Sequence, residues 1–310
     1  MEKTEITVQR KDQLYIESTK KRISAKKRNR TNYLYILPAF LLMGVFVYYT
    51  IGDTIYTSFF DWNGISPYKT FIGLTNYLNI FKDPIFYISL KNTVIFLFLT
   101  IFIQMFLGLL IAVLLNANVK FKGVYKVIFF LPTVLSAAVI SQVFRQIYNA
   151  SNGELNNFLT SIGLENLAKS WLADPDIALY SIASINIWEF TGFSMIMYFA
   201  ALTVIDKSLF EAARLDGANF LQIMRSIIFP QLRFTHYSLI ILGVIGALKT
   251  FDIIYLTTGG GPGRSTEFIS TYIFKKAILE FNAGYSSALS VILLLIALVV
   301  TVIQLRIYRK

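Results

Sequence analysis

The stretch IDKSLFEAARLDGANFLQIMRSIIFPQL, residues 205–232, decides how the rest of the chain is read. Ser208, with Glu211 three residues on, has the spacing of a capping box, in which side chains satisfy the free amides of a helix start. Phe210, Ala213 and Arg214 give that first helix an apolar and a basic side. Gly217 suits a left-handed helix terminus, where a Cβ meets a steric penalty. Asn219 can cap a second helix, and Pro230 closes it. Helices this short are marginal alone in water, so their apolar residues need something to pack on. Pattern alone leaves two surfaces open: a partner protein, or the rest of this chain.

Outward from that stretch, the chain is apolar. It has 310 residues, 55% hydrophobic and 15% charged, with a mean hydropathy of +0.57. Soluble domains carry about a quarter charged residues, and a helix crosses the hydrocarbon with about 20 mostly apolar ones. Six runs qualify: 33–51, 93–115, 127–144, 180–203, 237–255 and 288–305. They are continuous rather than alternating, which argues against barrel strands. Pro132 falls in the third and Lys249 in the fifth.

The basic residues set the orientation. Twenty of the 29 Lys and Arg fall in 1–32, 116–126, 204–236 and the C-terminal tail, against eight on the other side. Both termini are therefore expected in the cytoplasm, and the net charge of +11 reports topology rather than nucleic-acid binding. The tail at 1–32 reads as a basic anchor attracted to anionic membrane lipid, ahead of one domain at 33–310. Trp62, Tyr77, Phe86 and Trp171 in the outer segments 57–92 and 145–177 suggest short interfacial helices.

Several chemistries drop out. The chain has no cysteine and one histidine, His236, which removes disulfides, thiolate metal sites and the paired-histidine zinc motif. No catalytic residue, metal or cofactor is expected. The glycine-rich TTGGGPGRST at 257–266 lacks the spacing and the lysine of a phosphate loop. It falls between the fifth and sixth runs, on the outer side, and reads as a turn leading out of a helix.

The 205–232 stretch resembles the EAA motif of binding-protein-dependent ABC importers: EAA, three residues, Gly, nine residues, then I-x-L-P. Glu211, Ala212, Ala213, Gly217, Ile227 and Pro230 stand at those positions, with Phe229 replacing the leucine. YILPAFLLMGVFVYYTIGDTIYTSFFDWNG, LPTVLSAAVISQVFRQIYNASNGELNNFL and FDIIYLTTGGGPGRSTEFISTYIFKKAI are similar to carbohydrate-type permeases, the last to the first permease subunit of maltose- and raffinose-like systems. The resemblance implies an all-α integral membrane fold, the six-helix permease of type I importers, with residues 206–230 coupling it to an ATPase. It implies a second permease subunit as heterodimer partner, two ABC ATPase copies, an extracytoplasmic solute-binding protein and a sugar substrate, in a bacterial cell membrane. The other reading weighed is an ion-coupled secondary transporter of small polar solutes.

Asn186, Glu189, Phe190, Phe193 and Met197 fall on one helical face of the fourth run. The amide and carboxylate could take sugar hydroxyls and the aromatic faces could pack on its ring. Lys249 and Asp252, three apart, could pair. Either set could instead hold helix to helix or subunit to subunit. Gly108, Gly243 and Gly246 read as close helix-packing positions.

Overall fold

The computed structural model describes residues 35–117 and 119–308; the basic tail at 1–32 lies outside them. Helix α1 (Tyr35–Thr57) contains a π-helical stretch at Gly44–Tyr49. Large apolar side chains along it, Phe40 and Phe46 among them, are exposed, as suits a helix apolar all round in lipid.

From Thr57 the chain forms a second unit. A two-residue antiparallel pair, β1 (Phe60–Asp61) with β2 (Thr70–Phe71), sets Phe60 opposite Phe71. Then come α2 (Thr75–Lys82), α3 (Pro84–Asn116), α4 (Lys122–Val134), α5 (Ala137–Ile147), α6 (Glu154–Ser161) and α7 (Ala178–Leu202). The chain continues through α8 (Lys207–Leu215), α9 (Phe220–Gln231), α10 (Arg233–Lys249), α11 (Asp252–Thr257), α12 (Ile269–Phe274) and α13 (Ala283–Tyr308). Among the described residues four helices are long and apolar enough to span a membrane, and six spans result if each bent pair counts as one. Segments 57–92 and 145–177 contain the short helices α2 and α6; of Trp62, Tyr77, Phe86 and Trp171, only Tyr77 lies in one of them.

Two runs that look continuous in sequence are broken. The third becomes α4 and α5, bent by 96°. Pro132 lies in the last turn of α4, Leu135 is extended, and Ser136 caps α5 by accepting from the Val139 amide at 3.4 Å. The fifth ends at Lys249; Thr250 is extended and a new helix starts at Asp252.

Helix α7 is the axis on which the second unit packs. Its Gly192 lies so close to α4 that a Cβ there would sit 1.9 Å from the Phe129 carbonyl oxygen. A Cβ on Gly108 of α3 would meet Ser194 of α7 at 2.6 Å, and one on Gly243 of α10 would meet Ile101 of α3 at 2.6 Å. Gly108 and Gly243 thus hold helices together as expected. Gly246 has nothing within 4 Å of a built Cβ, so it packs against no neighbour.

Polar groups fasten the end of the unit that carries the glycine-rich turn. Glu267, fully buried, pairs with Lys275 at 2.5 Å and accepts the Thr271 hydroxyl at 2.7 Å. Asn92 of α3 donates to the carbonyls of Arg264 and Glu267 at 3.3 and 3.0 Å. Asp83 caps α3 through the Ile85 amide and accepts the phenols of Tyr285, at 2.7 Å, and Tyr272. Burial disfavours its charge, but the two phenols, that amide and Lys276 outweigh it and hold the carboxyl below the usual range.

A depressed carboxyl adds stability that is complete above the unfolded value, about 4, and is lost as pH falls through the lower folded value. Asp83→Asn is therefore expected to lower thermal stability by about 2 kcal/mol near neutral pH. The gap to the parent chain should narrow below about pH 4. A gap unchanged across that range, in melting curves of the detergent-solubilised protein, would contradict the charge-based account.

Candidate functional site

Two places carry the residues singled out in sequence. The first is the 205–232 stretch. Helix α8 is capped by Asp206, whose carboxylate accepts from the Ser208 amide at 2.9 Å, not by the expected Ser208–Glu211 box. Asp206 lies two residues ahead of Ser208 and reaches the first free amide before the hydroxyl can. At the other end Gly217 has φ +76°. The Gly217 amide bonds to the Arg214 carbonyl at 3.1 Å and the Ala218 amide to the Ala213 carbonyl at 2.9 Å, the double closure that needs a left-handed residue.

Asn219 and Gln222 then form a reciprocal capping box at the start of α9, at 2.9 and 2.7 Å. Met224–Ile228 winds as a π-helix, and a 66° bend follows between α9 and α10. Pro230 sits in the last turn of α9, so the second helix closes at Gln231 rather than at the proline.

This fold sorts the motif residues. Ala213, Gly217 and Ile227, far apart in sequence, line one notch of about 290 Å³ together with Asp216 and Gln222. Glu211, Ala212 and Pro230 lie outside the notch and are exposed. Around them Leu215 is 89% exposed and Leu221 75%. The opposite side is packed: Ile228 and Leu232 are buried with Ala112 and Leu115 of α3 and Tyr198 and Leu202 of α7. One face is bolted to the membrane helices and the other is open, with Leu215 and Leu221 exposed among the charged Glu211, Arg214 and Asp216.

The second place is a cavity of about 370 Å³ between α3, α7 and α10. Asn186, Phe190 and Phe193 line it, as do Thr100, Ser194 and Thr250. Gln104, which the sequence did not single out, donates through Nε2 to both the Asn186 carbonyl and Oδ1, each at 3.0 Å. Among the described residues Gln104 Oε1 and Asn186 Nδ2 have no hydrogen-bond partner, and no charged side chain lines the cavity.

Glu189, Lys249, Asp252 and Met197 are not part of that wall. Glu189 is 7% exposed on the side of α7 that meets α4, where its backbone carbonyl takes the Thr133 hydroxyl at 2.8 Å. Lys249 and Asp252 are exposed and form no ion pair among the described residues. The break at Thr250 takes them off a common helical face. Met197 packs against the buried cluster that contains Tyr198 and Leu202.

The exposed face of α8 and α9 and the largely apolar cavity with its Gln104–Asn186 pair belong to the same unit of the fold. The family described as binding-protein-dependent transport system inner membrane component has a model that matches residues 28–310. The chain belongs to that family. It is a multi-pass membrane permease of an ABC importer, and ATP hydrolysis resides in a separate subunit. The permease is 37% identical to the probable ABC transporter permease protein YurN of Bacillus subtilis over 279 residues, 89% of this chain and 95% of that one. It is 33% identical to the trehalose/maltose transport system permease protein MalF of Thermococcus litoralis, covering 90% and 94%. A crystal structure of a bacterial ABC transporter that imports the acidic polysaccharide alginate contains a chain with TM-score 0.79 and 25% identity, covering 91% of this permease and 96% of that chain. Membership displaces the ion-coupled alternative.

Proposed function

We propose that the permease carries an uncharged sugar or polyol through the cavity between α3, α7 and α10. The observation that supports this most is the Gln104–Asn186 pair. Its two unengaged groups are one acceptor and one donor, side by side, and each sugar hydroxyl both donates and accepts. A carboxylate or phosphate accepts only, so Gln104 Oε1 would repel it, and no lining cation compensates. The Phe190 and Phe193 rings suit the apolar face of a pyranose. The MalF relative is named for trehalose and maltose, which are neutral, whereas the alginate system handles an acidic chain.

In this reading the permease pairs with a second permease to enclose the pathway. Of two ATPase copies, one seats against the exposed face of α8 and α9, with Glu211 and Ala212 at the contact and Ala213, Gly217 and Ile227 shaping the notch beside it. Both termini face the cytoplasm, following the basic residues, and a solute-binding protein delivers cargo to the other side. ATP then shifts the population between two accesses by differential contacts in each state.

The cavity is tested by uptake into proteoliposomes holding the complete importer. Gln104→Leu and Asn186→Leu are each expected to reduce uptake of trehalose, maltose or lactose by about tenfold, since a buried group left unpaired costs about 1–3 kcal/mol. The ATPase should still co-purify. Equal uptake of an alginate oligosaccharide and a neutral one by the parent importer would refute the uncharged class.

A further inference from the structure

His236, the only histidine in the chain, lies one turn along α10 from the bend that ends the 205–232 stretch, and it is 9% exposed. Its Nδ1 is 2.7 Å from the Tyr198 hydroxyl of α7, and its Nε2 is 3.2 Å from the Phe229 carbonyl of α9. The rings agree: His236 stands edge-on to Tyr198 at 5.3 Å between centroids and lies over Phe229 at 4.4 Å. A carbonyl can only accept, so Nε2 carries the proton. In the neutral ring Nδ1 is then the acceptor and Tyr198 donates to it. One imidazole thus bonds in two directions, to the last turn of the docking stretch and to the cavity helix.

Tyr198 and His236 both lie close to the cavity. Ser194, which lines it, is one turn before Tyr198 on α7, and Leu239, which also lines it, is three residues after His236 on α10. On the other side, Phe229 follows the π-helical turn at 224–228, the type of local irregularity at which helices change geometry. Apolar contacts alone can slide, because dispersion is non-directional. Two hydrogen bonds sharing one ring fix a register.

We propose that His236 is a positioning residue for transport, holding the Phe229 turn to Tyr198 so that a movement of the docking stretch reaches both cavity walls as one displacement. The inference rests on the reading that an ATPase grips that stretch.

The absence of cysteine makes the test clean. Leu242 lines the cavity on α10, and Leu242→Cys supplies the one thiol of this chain. Its maleimide labelling is followed in the complete importer, first without nucleotide and then with ATP and vanadate. With Tyr198 and His236 intact, nucleotide is expected to change the labelling rate. Tyr198→Phe and His236→Phe should each shrink that change about fivefold or more, the scale of a lost coupling interaction. His236→Gln, which keeps an N–H to offer Phe229, should restore part of what His236→Phe loses.

A merely structural role would not produce that pattern, since phenylalanine fills the same space. If His236→Phe fails to assemble, Tyr198→Phe, which removes one hydroxyl, decides alone. An undiminished change in Tyr198→Phe, or loss of the ATPase from it, overturns the proposal. No nucleotide effect even with both residues intact would instead overturn the docking reading on which it stands.

Discussion

Gly217→Val is expected to abolish uptake and to release the ATPase during purification, whereas Gly217→Asn should retain the ATPase. The cause lies in the backbone. Gly217 has φ +76° and nothing within 4 Å of a built Cβ, so the substitution meets no clash inside the chain. What it meets is the left-handed conformation, which costs an ordinary residue about 1–2 kcal/mol and a β-branched one more. Asparagine visits that region readily. Losing the turn would swing Asp216 and Ala218 away and dissolve the notch that Ala213, Gly217 and Ile227 share. The comparison of the two variants separates backbone shape from bulk. If Gly217→Asn loses the ATPase as completely as valine does, bulk at the contact is the cause and the conformational explanation is wrong.

The second large effect concerns folding. Gly192→Leu should leave little or no permease in the membrane, because its Cβ would lie 1.9 Å from the Phe129 carbonyl oxygen and 2.9 Å from the Phe130 Cα. Backbone cannot swing aside as a side chain can, and overpacking costs upward of about 3 kcal/mol when the neighbour is rigid. Separation of α4 from α7 would also strip the Thr133 hydroxyl from the Glu189 carbonyl. Gly246→Leu is the control, since it meets no neighbour within 4 Å: it should accumulate normally while filling the cavity. Membrane yield by immunoblot reads both. Normal yield of Gly192→Leu would mean that the two helices are not packed as closely as described.

How much of this was legible depends on what each residue's signal is local to. The spans were visible because about 20 apolar residues in a row have few other uses, and Gly217 and Asn219 were visible because their roles are set within a turn. The Ser208–Glu211 box failed through local competition: Asp206 offers a better acceptor two residues earlier. The Lys249–Asp252 pair failed because three-apart spacing means contact only on an unbroken helix, and Thr250 breaks it.

Gln104 and His236 were hidden for another reason. Each is one polar side chain in an apolar helix, with no periodicity of its own. Only the partner across the gap, Asn186 for one and Tyr198 with Phe229 for the other, gives it meaning. Likewise Gly192 looks in sequence like any helical glycine, and its constraint comes wholly from Phe129. Glu189 and Asn186, three apart, looked equivalent and proved to face different neighbours.

The 96° turn between Val134 and Ala137 has a mechanical consequence. The segment before it is clamped to α7 with backbone touching backbone at Gly192, while the segment after it packs on α11. One stretch of chain is thereby shared between two carriers, α7 before the turn and α11 beyond it, where Phe144 also meets Trp188 of α7. Leu135 and Ser136 form the elbow that joins them, and any rotation of one carrier against the other has to be absorbed in the torsions of those two residues.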